Sequence, residues 1–504
     1  MIKLNLSTGY TKVLSTTVIT EYKNEITLHS AKREGESCLV TLMSDVDEKG
    51  LKLEIFSLPC GVSVECNEEH NVVVKGVEWP DPITALGESF DVEAGKYKNI
   101  LVRFEVSENA CAGEYEIPLC IKKDGKALAC ACVKLGVYNF VLPEVPQFDT
   151  AYGLDEEHLL PRFHGFEFND TEESKAKEQE LYKNYYDYML EHRVCAFDLP
   201  YDVLDPRADA YMSDPRVTSF VVRDRITRED GDEMLAKRCE KLKTNPEWMK
   251  KAYIYPFDEP LDKEMIDKIW ERSRTLKKIC PEMRQVSPFF ANLEYDENTD
   301  VISILGDILE ILCPKLACFN DDFIYNEEQK KKSKPFAQRM TEYQNQGKDL
   351  WAYVCWEPKE PYSNVFVDEV GLEHRIVFWQ HYLYGIKGNL YWRVNYWDKI
   401  EDPWVDMATV PWLSPDVFGD GSLLYNGTKY GIFGPCGSVR FEAIRDGIED
   451  CEILLMAEKV LGREEVLKYV KKVTTSVTEH NPDADNFDNV RHEICLALEK
   501  ALNK

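Results

Sequence analysis

Residues 251–260 read KAYIYPFDEP. A short apolar and aromatic run ends here in two adjacent carboxylates, Asp258 and Glu259, and Pro260 stops it. A charge-rich helical segment precedes the run, and a second helical segment begins between residues 261 and 264. A strand, an acidic tip and a helix in this order are typical of the open mouth of a β/α barrel, where such barrels carry their functional residues.

The pattern around this stretch extends over the middle of the chain. From about residue 148, apolar runs of four to eight residues alternate with amphipathic segments, which predicts a (β/α)8 barrel of about 250 residues. A doubly wound open sheet would have fewer strands and a glycine-rich first turn, and the sequence has no G-x-G-x-x-G. The eight predicted strands are residues 148–154, 195–199, 217–222, 252–257, 285–290, 316–319, 350–356 and 389–396. The predicted helices between them are residues 176–192, 233–243, 263–278, 326–346 and 369–384.

The segments on either side of this pattern differ from it. Residues 1–143 alternate in the manner of short β-strands, and Asp124-Gly125 predicts a tight hairpin, so we expect an N-terminal β-sandwich. Residues 142–147 (LPEVPQ) form the predicted linker. Residues 397–437 are an aromatic, Gly- and Pro-rich excursion that contains Trp404, Trp412 and Tyr425, and helices follow near 438–461, 463–475 and 488–502.

These patterns predict a multidomain α/β protein: a β-sandwich followed by a TIM-like barrel and a C-terminal helical extension. The predicted domains are a sandwich at 1–143, a (β/α)8 catalytic barrel at 148–437, and the last barrel helix with the C-terminal helices at 438–504.

Charge and composition restrict the possible partners. The 504 residues include 61 Lys and Arg against 90 Asp and Glu, a formal charge of -29. Such a field repels phosphate backbones and anionic lipids, so we expect neither nucleic acid nor a membrane as partner. No secretory signal and no apolar run of about 18 residues is evident. The 16 cysteines lack a disulfide framework, which predicts a cytoplasmic location. The oligomeric state is not predicted.

The residues that follow the predicted strands share a chemistry. In a barrel they meet at one rim, and here they are carboxylates, amides and indoles. Sugars stack their apolar ring faces on aromatic rings and pair their hydroxyls with carboxylates and amides, so the rim predicts a sugar site. Its members are Tyr152, Asp155, Asp198, Asp258, Glu259, Asn292, Asn320, Asp321, Asp322, Trp356, Glu357, Trp392, Asn395 and Trp397.

Structural explanations compete with this interpretation. Adjacent acidic pairs are common in a chain with 90 acidic residues, although Asp258-Glu259 is distinguished by its place between an apolar strand and a proline. Glu357 is equally well explained as a helix cap or a salt-bridge partner, and rim tryptophans often pack loops. No Ser-His-Asp set, P-loop or metal-ligand spacing is present, so no cofactor and no metal are expected.

Several strings resemble glycoside hydrolase family 123 and the broader group that carries the domain of unknown function DUF4091. They run in the same order over most of residues 250–460. They are YIYPFDEP (253–260), LWAYVCWEPKEPYSNVFVDEVGLEHRIVFWQHYLYGIKGNLYWRVNYW (350–397), DPW (402–404), GDGSLLY (419–425) and SVRFEAIRDGIEDCEIL (438–454). An N-terminal β-sandwich also agrees with the architecture of that family.

The resemblance implies a retaining, exo-acting β-N-acetylgalactosaminidase that uses substrate-assisted catalysis. Asp258 would orient the 2-acetamido group, whose carbonyl oxygen attacks the anomeric carbon, and Glu259 would protonate the leaving oxygen and then deprotonate water. The nucleophile then belongs to the sugar, which is an exception to the usual pair of catalytic carboxylates. Both carboxylates face one pocket only if the strand ends at this pair, because successive strand residues point to opposite faces.

Further residues are candidates for substrate binding. Aromatic candidates for the wall of the sugar subsite are Trp351, Tyr353, Trp392, Tyr396 and Trp397. Polar candidates for hydroxyl contacts, or for support of the residues that make them, are Asn395, Arg440, Glu442 and Arg445. Glu357 is a further candidate for the substrate site.

Two alternatives remain open from the sequence. Glu259 follows the fourth predicted strand and Glu357 the seventh, each before a proline, so they would serve as acid/base and nucleophile on a sugar without an acetamido group if their carboxyls lie about 5 to 5.5 Å apart. A carbohydrate-binding protein without catalysis would use the sandwich and the aromatic rim equally well, but it has no need of a proton donor. An oligosaccharide or glycoconjugate is the expected partner in each case.

Overall fold

The structure is a computed structural model that describes residues 2–154, 159–223, 231–297, 299–398, 400–408, 410 and 414–503. The alternating N-terminal sequence forms a series of β-strands. They are β1 (Ile2–Thr8), β2 (Glu25–Lys32), β3 (Glu34–Ser44), β4 (Glu48–Ile55), β5 (Val62–Val74), β6 (Val77–Ala85), β7 (Phe90–Val92), β8 (Tyr97–Val106), β9 (Gly113–Lys123) and β10 (Lys126–Val141).

The predicted hairpin at Asp124-Gly125 is confirmed. Lys123 pairs with Lys126 across the turn, and both central residues have positive φ, 48° and 76°. A two-residue turn with φ above zero at both positions matches the twist of the flanking strands, which is why Asp-Gly is favoured there. Cys120 and Cys130 form a disulfide across the same hairpin, and the other fourteen cysteines are free.

Parallel strands follow in the middle of the chain. They are β11 (Asp149–Tyr152), β12 (Phe220–Val221), β13 (Ala252–Ile254), β14 (Arg284–Phe289), β15 (Ile311–Pro314), β16 (Asp349–Tyr353) and β17 (Gly388–Tyr391). Their order in the sheet is β11-β17-β16-β15-β14-β13-β12, which is a nearly closed parallel barrel of the TIM type. Residues 195–197 lie in the remaining gap, since Phe197 N donates to Tyr152 O and Val221 N donates to Phe197 O, each over 2.7 Å. The predicted second strand is present at this place only as a single bridge.

The predicted sixth strand was wrong. The strand is Ile311–Pro314, and residues Leu316–Phe319 form a 3-10 turn instead. Both halves of this long apolar run are buried, so hydrophobicity alone does not distinguish the strand from the turn. The correction places Lys315 directly after the strand, at the carboxyl end of the barrel.

Helices separate the strands and complete the chain. They are α1 (Leu159–Phe163), α2 (Glu172–Glu191), α3 (Ala208–Ser213), α4 (Gly231–Lys243), α5 (Pro246–Lys251), α6 (Lys263–Ile279), α7 (Val301–Ile308), α8 (Asp321–Ile324), α9 (Glu327–Lys332), α10 (Phe336–Asn345), α11 (Glu373–Leu383), α12 (Val439–Leu461), α13 (Arg463–Val473) and α14 (Ala484–Leu502). The helix predicted over 326–346 is therefore two helices, because Pro335 caps the start of α10 and interrupts the run. Among the described residues, no helix is both long and apolar enough to cross a membrane.

The N-terminal strands and the end of the chain are joined in one sheet. Two short strands of the 397–437 excursion and its end, β18 (Tyr425–Asn426) and β19 (Pro435–Ser438), extend it in the order β1-β3-β8-β5-β6-β19-β18. The second N-terminal sheet has the order β2-β10-β9-β4-β7, and side chains from both sheets contribute to one buried apolar cluster. In the linker, the backbone N–H groups of Gln147 and Phe148 donate to the Glu452 carboxylate of α12 over 2.6 and 2.9 Å.

Candidate active site

Along β13 and β16 every second side chain points into the barrel, so the inward side chains form successive layers. Tyr253 and Trp351 lie inside the barrel in one buried cluster, with ring centroids 5.2 Å apart at 81°. The next inward residue on each segment is two positions further along, which brings Tyr255 and Tyr353 up to the carboxyl end of the barrel. The mouth therefore contains two phenols that stand on a packed aromatic layer.

Each phenol binds one of the two adjacent carboxylates. Tyr255 Oη donates to Asp258 Oδ1 over 2.7 Å, and Tyr353 Oη donates to Glu259 Oε1. Strand β13 ends at Ile254, so the pair lies beyond the regular alternation of faces. Glu259 has φ 36°, in the left-handed region that costs a non-glycine residue about 1–2 kcal/mol. The sequence predicted that the strand must end for both acids to serve one pocket; the strand does end before the pair, and Asp258 is the one of the two that lines the cleft described below.

The mouth also alters the acidity of both groups. Asp258 is partly open to solvent. The surrounding protein nevertheless removes part of its hydration, and this partial burial raises its pKa, against the lowering effect of the hydrogen bonds from Tyr255 and the Glu259 N–H. Burial likewise raises the pKa of Glu259, the Tyr353 hydrogen bond opposes it, and the charge of Asp258 adds to it. Both carboxyls therefore hold their protons to higher pH than ordinary Asp and Glu. Groups that exchange protons near neutral pH have this property.

A cleft of about 410 Å³ opens beside Asp258. Tyr255, Asp258 and Trp392 contribute to its lining, together with Asp198, whose carboxylate accepts from Arg223 Nε over 2.6 Å. An indole, a phenol and a carboxylate in one wall can stack on a sugar ring and bind its hydroxyls. The space is at the low end of that of small-molecule sites, about 300–1,000 Å³, and suits one or two sugar rings.

Asp420 is a residue of this site that the sequence reasoning did not single out. Its fully buried carboxylate accepts from Tyr391 Oη and from Trp392 Nε1, each over 3.0 Å. Burial raises the pKa of Asp420 to about 6, against the lowering effect of these two donors. The carboxylate fixes the indole that lines the cleft. The quoted string GDGSLLY contains it, but nothing in the string indicates its partners.

Lys315 is the second residue that was missed. It follows β15 directly, its side chain is 98 % buried, and its Nζ lies 3.8 Å from Glu357 Oε1. The ammonium also lies over the rings of Phe290, Tyr353 and Trp356, at 4.6, 5.8 and 5.9 Å from their centroids. A lysine between two apolar runs was the available signal, and the misplaced sixth strand hid it.

The remaining candidates follow the seventh and eighth predicted strands, and they lie either at the mouth of the barrel or in the protein core. Tyr396 is half-buried, and its ring lies 4.7 Å from that of Trp392, so the two rings form one aromatic surface. Asn395 is fully buried and bridges to Ser422 in an antiparallel ladder, which makes it part of the loop framework. Glu357 is about 40 % exposed at the mouth, beside Lys315.

With Asn395, six predicted binding residues lie away from the cleft, which corrects those expectations; the other five are Trp351, Trp397, Arg440, Glu442 and Arg445. Trp351 fills the barrel interior below Tyr353, and Trp397 is buried against Phe163 with its Nε1 donating to Ser422 Oγ over 2.9 Å. These two indoles have no free face for a sugar, because strand period fixes the side of a residue but not its depth.

The two predicted arginines are buried among protein partners. Arg440 donates from Nε and Nη2 to the Asp81 carboxylate of β6, each over 2.8 Å. Arg445 donates to Glu442 of the same helix, and Glu442 also pairs with His192 over 2.9 Å. Of the two roles that the sequence left open for these residues, the structure favours support of the fold over contact with hydroxyls.

Other rim candidates have local partners. Asn320 caps α8 and donates from Nδ2 to Tyr362 Oη over 2.8 Å, and Asn292 is buried with its carbonyl accepting from Gln329. The predicted rim candidate Asp155 lies outside the described residues, and so does Trp412 of the 397–437 excursion.

A family model described as "Glycoside hydrolase 123, catalytic domain" matches residues 216–457. Over these residues the chain resembles a family 123 catalytic domain. The matched range contains Asp258, Glu259, Lys315, Glu357 and Asp420, and the match supports a glycosidase. The resemblance noted from the sequence is confirmed.

Solved structures support the same assignment at the level of the fold. A family 123 glycoside hydrolase from Clostridium perfringens, described in connection with glycolipid glycan hydrolysis, aligns over 100% of this chain and 98% of its own, with a TM-score of 0.68 at 12% identity. At this identity the likeness concerns the fold alone.

Two other glycosidase structures align with much lower scores. A Bacteroides ovatus GH5 xyloglucanase has a TM-score of 0.26 at 9% identity and covers 89% of this chain and 100% of its own. A GH20 exo-β-N-acetylglucosaminidase from Vibrio harveyi has a TM-score of 0.19 at 10% identity and covers 100% and 98%. These two differ too much in structure to inform the site. A search of curated proteins gives no match.

Proposed function

We propose that this chain is a family 123 glycoside hydrolase that removes a terminal β-linked N-acetylhexosamine, N-acetylgalactosamine in the first instance, with retention and by substrate-assisted catalysis. One observation carries the proposal. Two adjacent carboxyls stand at one barrel mouth, each with its own phenol donor, and Asp258 lines the cleft. Glycosidases that use two protein carboxylates place them on different strands, so a neighbouring pair suits a reaction in which the substrate supplies the nucleophile.

In the first step Asp258 accepts the N–H of the 2-acetamido group and aims its carbonyl oxygen at the anomeric carbon. That oxygen forms a bond to the carbon while the bond to the leaving oxygen breaks, and Glu259 gives its proton to the leaving oxygen. The hydrogen bond from Tyr255 keeps the Asp258 carboxyl in place for this alignment. The raised pKa of Glu259 keeps its proton available at higher pH than an ordinary glutamic acid would.

In the second step water attacks the anomeric carbon from the side that the leaving group vacated. Glu259, now ionised, takes a proton from this water, and the bond from the anomeric carbon to the acetamido oxygen breaks. Two displacements restore the original configuration. Trp392, fixed by Asp420, supplies the apolar face for the sugar ring.

The test is hydrolysis of an aryl β-N-acetylgalactosaminide by wild type, Asp258→Asn and Glu259→Gln. We expect Glu259→Gln to lower kcat/KM by about 10²–10⁴-fold, less for aryl groups that leave without protonation. Asp258→Asn should reduce turnover of the acetamido sugar, and a thiazoline that mimics the cyclised acetamido group should inhibit wild type competitively. Asp262→Asn is the matched control, because Asp262 lies nearby but caps α6 and Asn caps equally well. Turnover that is insensitive to Asp258→Asn would refute the assisted route.

A second mechanism is favoured by the place of Glu357 at the mouth, where its charge acts on Glu259. Here Glu259 would be the acid/base and Glu357 the nucleophile on a sugar without an acetamido group. A 2-fluoro glycoside would then trap a covalent intermediate on Glu357, detectable by mass spectrometry of the peptide. Loss of activity confined to Glu357→Gln, with Asp258→Asn unaffected, would favour this mechanism.

The domain boundaries, the substrate class and the cellular location are part of the same proposal. We retain the domains 1–143, 148–437 and 438–504, with the two N-terminal sheets as a β-sandwich that contacts the barrel through Asp81 and Arg440. The substrate would be an oligosaccharide or a glycoconjugate, including a glycolipid glycan such as the Clostridium perfringens structure is described with. The cytoplasmic location predicted from the cysteines also stays a proposal.

A further inference from the structure

A buried lysine at the mouth has no part in the reaction as set out above. Lys315 stands at the carboxyl end of β15, with its backbone N–H donating to Phe289 O over 2.8 Å. Its side chain is 98 % buried, and the carboxylate at 3.8 Å belongs to Glu357, which is itself partly exposed. An ammonium taken out of water costs free energy unless nearby charges and ring faces compensate. Keeping one here calls for an explanation.

The charges around this ammonium explain why a buried lysine is kept at this position. Lys315 lowers the pKa of Glu259 against burial, and it acts in the same direction on Asp420. Glu259, Glu357 and Asp420 thus interact with one cation in a chain whose formal charge is -29. Without the cation, a Glu259 that has given up its proton would face only like charges and buried neutral groups.

We propose that Lys315 is a positioning residue for the reaction: its ammonium offsets the negative charge at the mouth, so that Glu259 can release and recover its proton, and it holds Glu357 beside the site. The inference rests on the proposed role of Glu259 as acid and base. In the first step Glu259 becomes a carboxylate, and Lys315 stabilises that form until water returns the proton.

Other titratable groups face Glu259 and contribute to its behaviour. Those on the neighbouring elements are Tyr255 and Asp258 after β13, Cys313 and Cys318 around β15, and Tyr353, Cys355 and Glu357 on and after β16. Lys315 is the cation among the described groups that act on Glu259. Its removal therefore leaves the charges of Asp258 and Glu357, which act against ionisation of Glu259, and the hydrogen bond from Tyr353, which favours it.

The experiment compares the pH profiles of kcat/KM for wild type, Lys315→Met, Lys315→Gln and Lys315→Arg. The basic limb reports the ionisation of the acid in the free enzyme. Lys315 lowers the pKa of Glu259, as a nearby opposite charge does for a carboxyl, so the two neutral variants should shift this limb upward, by up to about one pH unit. Lys315→Arg should restore the wild-type limb. Lys359→Met is the matched control, an exposed lysine that donates to Asp416 O.

Three outcomes decide the matter. A limb that moves in both neutral variants and returns in Lys315→Arg supports the proposal. An unchanged limb in the neutral variants overturns it, and so does an equal shift in Lys315→Arg, because shape rather than charge would then be responsible. The Gln variant keeps the test valid if the Met variant misfolds.

A readout without turnover separates this inference from the proposed function. Carboxyl ¹³C NMR of the glutamate-labelled protein gives the titration of Glu259, identified by the signal that Glu259→Gln removes. If wild type hydrolyses no acetamido sugar but this titration shifts upward in Lys315→Met, the function fails and the role of Lys315 stands. If the sugar is hydrolysed and the titration is unchanged, the reverse holds.

Discussion

At the scale of single residues, the backbone of Glu259 adopts a conformation that is unfavourable for residues other than glycine. Its φ of 36° is a conformation that glycine adopts without cost and that a side chain with a Cβ adopts at about 1–2 kcal/mol. Strain of this kind persists only where the surroundings hold it, and it is frequent at functional sites. The flanking hydrogen bond from Tyr353 and the packing of Pro260, which is buried, hold it here.

Because of this strain, glycine should be more stable than alanine at position 259, which is the reverse of the usual order. We expect Glu259→Gly to be more stable than Glu259→Ala by about 1 kcal/mol, since glycine alone relieves the left-handed backbone. Urea unfolding of the two variants measures the difference.

The same pair of substitutions at Glu264 provides the control. Glu264 lies in the exposed first turn of α6, where glycine should be less stable than alanine by about 0.5–1 kcal/mol. If glycine is the less stable residue at both positions, the backbone of Glu259 is not strained.

The residues that could be predicted from the sequence are those whose signal is local. Asp258 and Glu259 follow an apolar strand and precede a proline, and this context is contained in ten residues. Lys315 and Asp420 were missed because their meaning depends on partners 42 residues away or in other strands, Glu357 for the first and Trp392 for the second. A sequence pattern does not show which residues so far apart in the chain come into contact.

Elements were predicted well where periodicity is long and poorly where it is short. The barrel, its order of strands and the Asp124-Gly125 hairpin follow from alternation and turn chemistry. The sixth strand was displaced because an unbroken buried run fits a strand and a 3-10 turn equally well. The same limit applies to Trp351, which the sequence placed on the correct face of β16 but one layer too high.

The loop after β16 shows how one element depends on another far away in sequence. Lys12, in the segment after β1, donates from Nζ to the carbonyls of Val367 and Glu369, each over 2.9 Å. It also contacts His374 Nε2 at 2.9 Å, and since an ammonium only donates, this nitrogen accepts and Nδ1–H donates to Asn364 O. Asn364 Nδ2 in turn donates to Cys355 O over 2.7 Å. The chain of bonds leads from the N-terminal strands to the residues beside Glu357.

Lys12→Met should therefore act on both stability and turnover. We expect the free energy of unfolding to fall by about 1.5–3 kcal/mol, the range for hydrogen bonds to a charged donor. We expect kcat to fall as well, because the loop that carries Glu357 loses its support. Urea unfolding and steady-state kinetics on the aryl glycoside measure the two effects.

Lys75→Met is the matched control for this loop. Lys75 pairs with Asp368 over 2.9 Å in the same loop, but its side chain is about half exposed, so its loss should change stability by about 0–1 kcal/mol and leave kcat unchanged. Equal effects of the two variants would contradict a specific role for Lys12.

For the whole molecule, a buried ionic network around α12 unites the separate parts of the chain. The Asp450 carboxylate of α12 accepts from Arg375 Nε of α11 and from Arg491 Nε of α14, each over 2.7 Å. Both arginines also pair with Glu36 of β3 in the N-terminal sheet. Burial acts to raise the pKa of Asp450, but the two arginines outweigh it, so that its pKa lies below the ordinary range.

Asp450 is thus the shared anion through which barrel helix, C-terminal helix and N-terminal sheet are coupled. Removing one member of a buried ion pair costs about 3–5 kcal/mol, because the partner charge stays buried without compensation. We expect Asp450→Asn to lower the free energy of unfolding at pH 7 by this amount. Glu233→Gln, which removes an exposed i,i+4 pair with Lys237 on α4, should leave it nearly unchanged.

The sign of the pH dependence gives the sharper test. A carboxyl whose folded-state pKa is lowered contributes stability above its unfolded pKa, about 3.9 for Asp, and loses it as the pH falls through the folded value. The difference between wild type and Asp450→Asn should therefore be constant near neutrality and shrink below about pH 4. Urea unfolding from pH 7 to pH 3 measures it, with far-UV and near-UV signals recorded together. Coincident transitions that shift as one would place the network in the common core of the molecule. A difference that is the same at pH 3 and pH 7 would mean that the ionised carboxylate is not what couples these segments.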